Sequence, residues 1–383
     1  MSPREVPFAR VAIDETDIAA VVETLRSGWI TTGSRVAELE AEFCRISGAR
    51  YGLGVNSATA ALHLALLGWR IGPGDEVILP AMTFASCATV VMETGATPVL
   101  ADICADDMTI DPESVERLIS PRTRVIMAVH YAGQPARMAE LQALAEGRNI
   151  KILEDAAHAP GALYKESPAG SLGDAAAFSL YATKNVTSGE GGVLVSDDEE
   201  LIDRARMLSL HGMSRDAWKR YSATEGTWRY EVIERGYKYN LSDLLATLGV
   251  NQVRRLGELN VARTRAAGLY KRLLADVEQV EALSVRPEVT HAWHLYVVKL
   301  RLDRMRIDRA RFIELLRERG VDTSVHFIPI HHHPAFKDIP ADLPETDAAF
   351  ERIISLPMYS GLSDEDIEYV AACVSEIARE NRR

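Results

Sequence analysis

Lys184 closes a mostly apolar run and precedes Gly189, Gly191 and Gly192 in the stretch AAAFSLYATKNVTSGEGGVLVSDDEE. An amine so placed can form a Schiff base with an aldehyde, the covalent anchor of an electron-sink cofactor. Such chemistry also needs a carboxylate to keep a ring nitrogen protonated, donors for a phosphate, and a flat face against the ring. Without these companions Lys184 reads as a strand-end lysine that reaches solvent.

Asp155, in KILEDAAHA, is the candidate carboxylate, because it ends an apolar strand where open α/β sheets place ligands. Its other reading is a cap for the next helix. Adjacent strand residues face opposite ways, so only one of Glu154 and Asp155 should enter the same site. His158 either follows a phenolic oxygen of the cofactor or is a satisfied interior histidine; spacing does not decide. The phosphate donors are sought in NSATAALHLAL, where a strand-to-helix turn offers backbone N–H groups and the hydroxyls of Ser57 and Thr59. Ser and Thr are also ordinary N-caps. Ser179 adds a donor before Lys184, and Phe84, in PAMTFAS, stacks on a ring or packs in the core. The glycines after the lysine permit turns or close backbone approach, as an exposed hairpin also would. If these residues take their site roles rather than their ordinary ones, the set suits pyridoxal phosphate, the common cofactor with such an anchor.

The elements that must position these residues alternate. DETDIAAVVETLRSG and SRVAELEAEFCRISG have helical spacing and lead into YGLGV, after which DEVILPA, TPVLADI, RVIMAVHYAG and KILEDAAH read as buried strands separated by helices. This rhythm predicts a largely parallel sheet covered on both faces. The segments GDAAAFSLYATKN and EGGVLVSDD then read as two strands in hairpin geometry. From about residue 250 a single long helix is expected to leave the first domain. Strands such as HLYVVKL and VDTSVHF, with helices such as RARFIELLRERG and EDIEYVAACVSEIARE, then complete a smaller α+β domain. The expected division is residues 1–250, an N-terminal segment with the large domain, and 251–383, the small one.

Size and composition fit this plan. The 383 residues are 47% hydrophobic and 26% charged, within the range of folded globular chains. A formal net charge of −12 disfavours nonspecific binding to nucleic acid or an anionic membrane, though not a local site for a small anion. Cys44, Cys87, Cys104 and Cys373 form no close CxxC pair, which argues against structural zinc or a disulfide framework and for a cytoplasmic setting. The first residues lack the apolar core of a signal peptide, and no segment supplies a membrane span.

In this order, NSATAALHLAL, GPGDEVILPAMTF, ILEDAAHAPGALYK, GDAAAFSLYATKN, EGG and GYKYNLSD closely resemble the DegT/DnrJ/EryC1/StrS family of sugar-nucleotide aminotransferases. The resemblance spans nearly the whole chain and implies the fold-type I architecture of pyridoxal-phosphate enzymes. It assigns the cofactor lysine to Lys184, the ring-nitrogen partner to Asp155, and a His-or-Gln position near the cofactor hydroxyl to His158. Ala58 and Thr59 match the phosphate turn, with Ala58 replacing the more frequent glycine, so the backbone there must avoid a glycine-only conformation. Ser179 matches a phosphate ligand. Asn240 matches an asparagine that reaches the neighbouring subunit's phosphate, which implies a homodimer with shared active sites.

The activity implied is transfer of an amino group from L-glutamate to C4 of a UDP- or dTDP-linked 4-keto sugar. YKYNLSD, HAWHLYVV and VHFIPIHHHPAF are most similar to the UDP-4-amino-4-deoxy-L-arabinose synthase type. The alternatives are a 3-keto sugar aminotransferase, a sugar dehydratase of the same fold, and a non-catalytic cofactor-binding protein. Dehydratase relatives carry histidine at the lysine position, and this chain has Lys184. His326, at a strand end, and Trp29, in SGWITTGS, are the substrate-side candidates, Trp29 being equally readable as an interface or core residue. His331, His332 and His333 invite a metal, but consecutive side chains seldom face one ion without a special turn, and no carboxylate obviously completes a ligand set. No metal is expected.

Overall fold

The computed structural model describes residues 4–213 and 231–383. Its central sheet has seven strands: β1 (Tyr51–Val55), β2 (Glu76–Pro80), β3 (Thr97–Ala101), β4 (Thr123–Val129), β5 (Lys151–Asp155), β6 (Ala175–Ser179) and β7 (Gly192–Ser196), in the order β1-β7-β6-β5-β4-β2-β3. Pairings from β3 across to β6 are parallel, whereas β7 runs antiparallel to both β6 and β1. The expected change from parallel rhythm to hairpin geometry therefore occurs between β6 and β7, where Ser179 faces Gly192.

Alternation sends successive residues to opposite faces. Val125 and Met127 pack with Leu62, Leu66 and Val91 on one side, while Ile126 and Ala128 pack with Met138 and Leu141 on the other. Both faces are covered, as a parallel sheet requires. Helices α1 (Glu15–Ser27) and α2 (Ser34–Ser47) precede the sheet, and α3 (Ala58–Gly68), α4 (Ser86–Glu93), α5 (Pro112–Leu118), α6 (Met138–Ala145) and α7 (Glu199–Ser209) connect or follow its strands. α3 is apolar all round and buried from Ala60 to Leu66, as suits a helix inserted between sheet and neighbouring helices.

A second, antiparallel sheet of β8 (Val280–Ala282), β9 (Tyr296–Leu300) and β10 (Ile353–Leu356) packs with later helices. The later helices are α8 (Asp243–Arg254), which packs instead against α1 and α2, and α9 (Leu256–Leu273), α10 (Arg309–Glu318), α11 (Pro344–Phe350) and α12 (Asp364–Glu380). Tyr270, Phe312, Leu316, Val370 and Val374 form the core there, and Val6 from the beginning of the chain joins it. Val6 donates to the Gly320 carbonyl at 2.8 Å and accepts from the Asp322 N–H at 3.0 Å, so the N-terminal segment straps this lobe.

Two expectations change. The long helix after residue 250 is two helices meeting at Arg255, whose φ of −94° and ψ of 4° leave the helical path. Its guanidinium reaches across to Asp14 and, at 2.7 Å, to Asp17 at the start of α1, so the chain turns where another helix claims this side chain. VDTSVHF forms no strand. Val321 bridges to Val6 and Ser324 to Ser355, and two different single partners cannot build a ladder.

Candidate active site

The parallel strands end at a cavity of about 510 Å³, closed on one side by the start of α3. β5 delivers two consecutive acids to opposite destinations. Glu154 is fully buried and accepts from His130 Nε2 at 2.8 Å and from the backbone N–H groups of Gly170, Leu172 and Gly173 at 2.9, 2.8 and 2.7 Å. Asp155 lines the cavity, and its Oδ1 accepts from the Ala157 N–H at 3.1 Å. Asp155 thus both orders the turn that follows it and presents its carboxylate to the site.

Lys184 lines the same cavity. Burial pushes its amine down to about 8, while the negative charge of Asp155 pulls the other way. The loop after it folds back on β6: Thr187 Oγ1 donates to the Leu180 carbonyl at 2.9 Å, and Leu180 N–H donates to the Gly191 carbonyl at 2.9 Å. Gly189 turns this loop with a φ of 84°. Gly192 has a different duty, since a Cβ there would lie 2.4 Å from the Ser57 carbonyl carbon and 2.5 Å from the Ala58 nitrogen. The lysine loop and the start of α3 therefore touch backbone to backbone.

That start is a polar cradle. Ser57 caps α3 by accepting from the Ala60 N–H at 3.1 Å. The first N–H groups of a helix have no partner within it, and Ser57, Ala58, Thr59 and Ser179 all line the cavity. Ala58 opens α3 without a positive φ, so this turn needs no glycine-only conformation.

His158 stacks between His294, with ring centroids 4.3 Å apart, and Phe327, at 5.8 Å. Burial, Lys184 and His326 hold it well below the usual histidine range, so it is neutral. Its Nδ1 is buried without a partner among the described residues. An unpaired buried N–H costs more than a bare ring acceptor, which places the proton on Nε2. His326 is on the cavity wall, its Nδ1 2.9 Å from Ser355 Oγ, and burial followed by Lys184 pushes it down to about 4. Phe84 is 61% exposed at the cavity and 6.0 Å from Phe327, which removes the reading of simple core packing.

Trp29 and Asn240 are not among the cavity walls. The Trp29 indole donates to the Thr32 carbonyl at 3.3 Å, and Asn240 donates to Thr32 Oγ1 at 2.7 Å, which places the two near each other through Thr32. His294, Cys87, Thr83 and Phe327 belong at or behind the site without having been singled out. His294 lies within HAWHLYVV, whereas Cys87, inside α4, carries no local signal of its place behind Asp155.

The histidine run does meet a carboxylate. Ile330–His332 is a single 3₁₀ turn, and Nε2 of both His331 and His332 lies 2.9 Å from Asp347 Oδ1. His331 Nδ1, however, is buried with no partner among the described residues. If Nε2 held a cation, the ring proton would move to that unpaired Nδ1, at a cost of about 1–3 kcal/mol. With Nε2–H donating to Asp347 there is no such cost, and the group reads as a hydrogen-bonded clasp between this turn and α11.

Residues 11–375 match the family described as the DegT/DnrJ/EryC1/StrS aminotransferase family. The chain is 44% identical over 379 residues to the spore coat polysaccharide biosynthesis protein SpsC of Bacillus subtilis, covering 98% of this chain and 97% of that one. It is 41% identical over 381 residues to the uncharacterized protein MJ1066 of Methanocaldococcus jannaschii, covering 98% of each. Among solved structures, the sugar aminotransferase Spr1654 of Streptococcus pneumoniae, described as putative, superposes in its PMP form with a TM-score of 0.92 at 34% identity, covering 98% of this chain and 100% of that one. Its PLP form superposes with a TM-score of 0.91. The architecture is fold-type I, and the cofactor is pyridoxal phosphate.

The residues present fit that group. A phosphate suits the start of an 11-residue helix with hydroxyls around it, without any basic side chain. The Asp155 carboxylate suits a protonated ring nitrogen, a neutral Nε2–H of His158 suits a phenolate oxygen, and an amine kept near 8 suits Schiff-base exchange near neutral pH.

Proposed function

Because the chain belongs to the DegT/DnrJ/EryC1/StrS aminotransferase family, we propose that it moves an amino group from L-glutamate to C4 of a nucleotide-linked 4-keto sugar, with UDP favoured over dTDP. The observation that carries the chemistry is the convergence of Lys184 and Asp155 on one cavity with the start of α3, the lysine amine being held near 8. The C4 and UDP assignments rest on the likeness of YKYNLSD, HAWHLYVV and VHFIPIHHHPAF to the arabinose-type enzymes.

When bound, the cofactor supplies an electron sink for the carbon that loses its proton. Ser57, Ala58, Thr59 and Ser179 would hold its phosphate, and Asp155 would keep its ring nitrogen protonated. Phe84 flanks the ring position from the open side. Once its amine is free, Lys184 is the base that takes the proton from the donor and returns it to the opposite carbon. An amine with a pKa near 8 serves both directions close to neutrality. His326 lies on the wall where a sugar would enter.

A homodimer with shared sites completes the proposal. Among the described cavity walls Lys184 is the sole basic side chain apart from neutral histidines, so the carboxylates of the donor and the diphosphate of the acceptor need cations from elsewhere. Ile18, Val22 and Leu25 form an exposed apolar stripe along α1, continued by Trp29 and Ile30, as a subunit contact would require. Asn240 then serves the neighbouring phosphate, and Trp29 stands at the shared border. No helix among the described residues is long and apolar enough to cross a membrane, and the four cysteines are free thiols, which supports work in a reducing cytoplasm.

Purified protein loaded with pyridoxal phosphate should show a visible absorption band that glutamate abolishes and that Lys184→Ala never forms. A wild-type protein without this band would refute the aminotransferase reading. Glutamate-dependent conversion is then followed across UDP- and dTDP-linked keto sugars; conversion of 3-keto sugars alone would reject C4.

A further inference from the structure

Behind Asp155 lies a second set of groups that the chemistry above leaves unused. Cys87, near the start of α4, is fully buried, and its Sγ lies 3.1 Å from Asp155 Oδ2. Thr83 Oγ1 lies 3.2 Å from the same sulfur. The two oxygens of Asp155 therefore have separate partners within the protein, the Ala157 N–H on Oδ1 and the thiol on Oδ2.

The direction of the contact follows from charge. Burial, and then the negative Asp155, push the Cys87 thiol well above its ordinary range, so it keeps its proton. A thiol facing a carboxylate can then only donate, and its sulfur is free to accept from the Thr83 hydroxyl. Thr83, Cys87 and Asp155 form a one-way relay ending on the carboxylate. A donor on each oxygen fixes the rotation of the carboxylate, which is what a directed pairing with a ring nitrogen needs.

We propose that Cys87, backed by Thr83, is a positioning residue that holds Asp155 oriented toward the cofactor's ring nitrogen; this rests on the aminotransferase reading of the site. The bland alternative is a small apolar core residue, for Cys87 also packs with Val91, Val129 and Leu153. The two roles rank substitutions oppositely. Serine keeps the donor and spoils an apolar contact, whereas alanine keeps an apolar surface and removes the donor.

Two measurements decide. In the apoprotein, the infrared difference spectrum of wild type minus Cys87→Ser isolates the S–H stretch of this thiol. The band should be lowered by hydrogen bonding and return to the free-thiol position in Asp155→Ala. An unmoved band overturns the relay even if the protein proves to be an aminotransferase. In the loaded protein, the affinity for pyridoxal phosphate is measured. Cys87→Ala should bind roughly 10-fold more weakly, about the worth of one buried hydrogen bond. Cys87→Ser, which keeps a donor, should return to within about 2-fold of wild type. A Cys87→Ala protein that binds as wild type does, or a Cys87→Ser protein that falls with Cys87→Ala, overturns the proposal.

Discussion

Replacing Gly192 by alanine tests whether the cofactor cradle is set by contact between β7 and the start of α3. The added Cβ would lie 2.4 Å from the Ser57 carbonyl carbon and 2.5 Å from the Ala58 nitrogen, both backbone atoms. Restoring an ordinary separation requires the turn to move by about 1 Å, at an overpacking cost of roughly 1–3 kcal/mol. Hydrogen bonds to a phosphate lose much of their strength over such a shift. A loss of about 2 kcal/mol corresponds to a dissociation constant for pyridoxal phosphate raised roughly 30-fold. Apoprotein titrated with the cofactor, followed by its visible band and by equilibrium dialysis, reads this directly. Gly257→Ala is the control, because a Cβ there meets nothing within 4 Å; it should leave affinity unchanged. A Gly192→Ala protein that unfolds cooperatively yet binds within about 2-fold of wild type would show that this contact does not register the cradle.

The neighbours Glu154 and Asp155 should separate stability from cofactor binding. Glu154→Gln places an amide where each carboxylate oxygen accepts from two donors, costing roughly 2–4 kcal/mol in denaturant melts with little change in cofactor affinity, whereas Asp155→Asn should do the reverse; matching behaviour of the two variants would contradict their opposite facing. Capture of pyridoxal phosphate by the apoprotein requires the neutral form of Lys184, so its rate should rise with pH and level off above about 8; a midpoint in the ordinary lysine range, near 10.5, would refute the buried amine. Asp347→Ala should lower stability by no more than about 1 kcal/mol, since its side chain is half exposed, and chelators should change neither melting temperature nor activity; a chelator-sensitive melt would restore the metal reading.

The parts of this site legible in the sequence stand at the ends of strongly patterned elements. Asp155 closes an apolar strand, Ser57 precedes an apolar helix, and Lys184 follows an apolar strand, so each could be placed by periodicity and punctuation. Strict alternation also separated Asp155 from Glu154. Cys87, His294 and Asp347 were not legible in the same way, because their meaning lies in contacts across 68, 109 and 16 positions that no local pattern encodes. The two objections raised against the histidine run, the lack of a turn and of a carboxylate, were both met by the fold, and what still speaks for a hydrogen-bonded clasp is the buried Nδ1 of His331. The single helix expected after residue 250 failed for a related reason: its helical periodicity runs unbroken through Arg255, whose partners Asp14 and Asp17 lie far back in the chain.

The strap at Val6 has a consequence for how the molecule is made. Its partners Gly320 and Asp322, and the partner of Arg4, Asp366, 362 positions away, are synthesised long after it. Phe8, just beyond the strap, stacks on His326 with centroids 5.5 Å apart and accepts from the Met358 N–H. Residues 4–8 must therefore wait for residues 320–366 before they find their places, and the wall behind His326 is finished only then. A nascent chain could fold its large sheet early, but its catalytic pocket would mature only once this much later segment had followed.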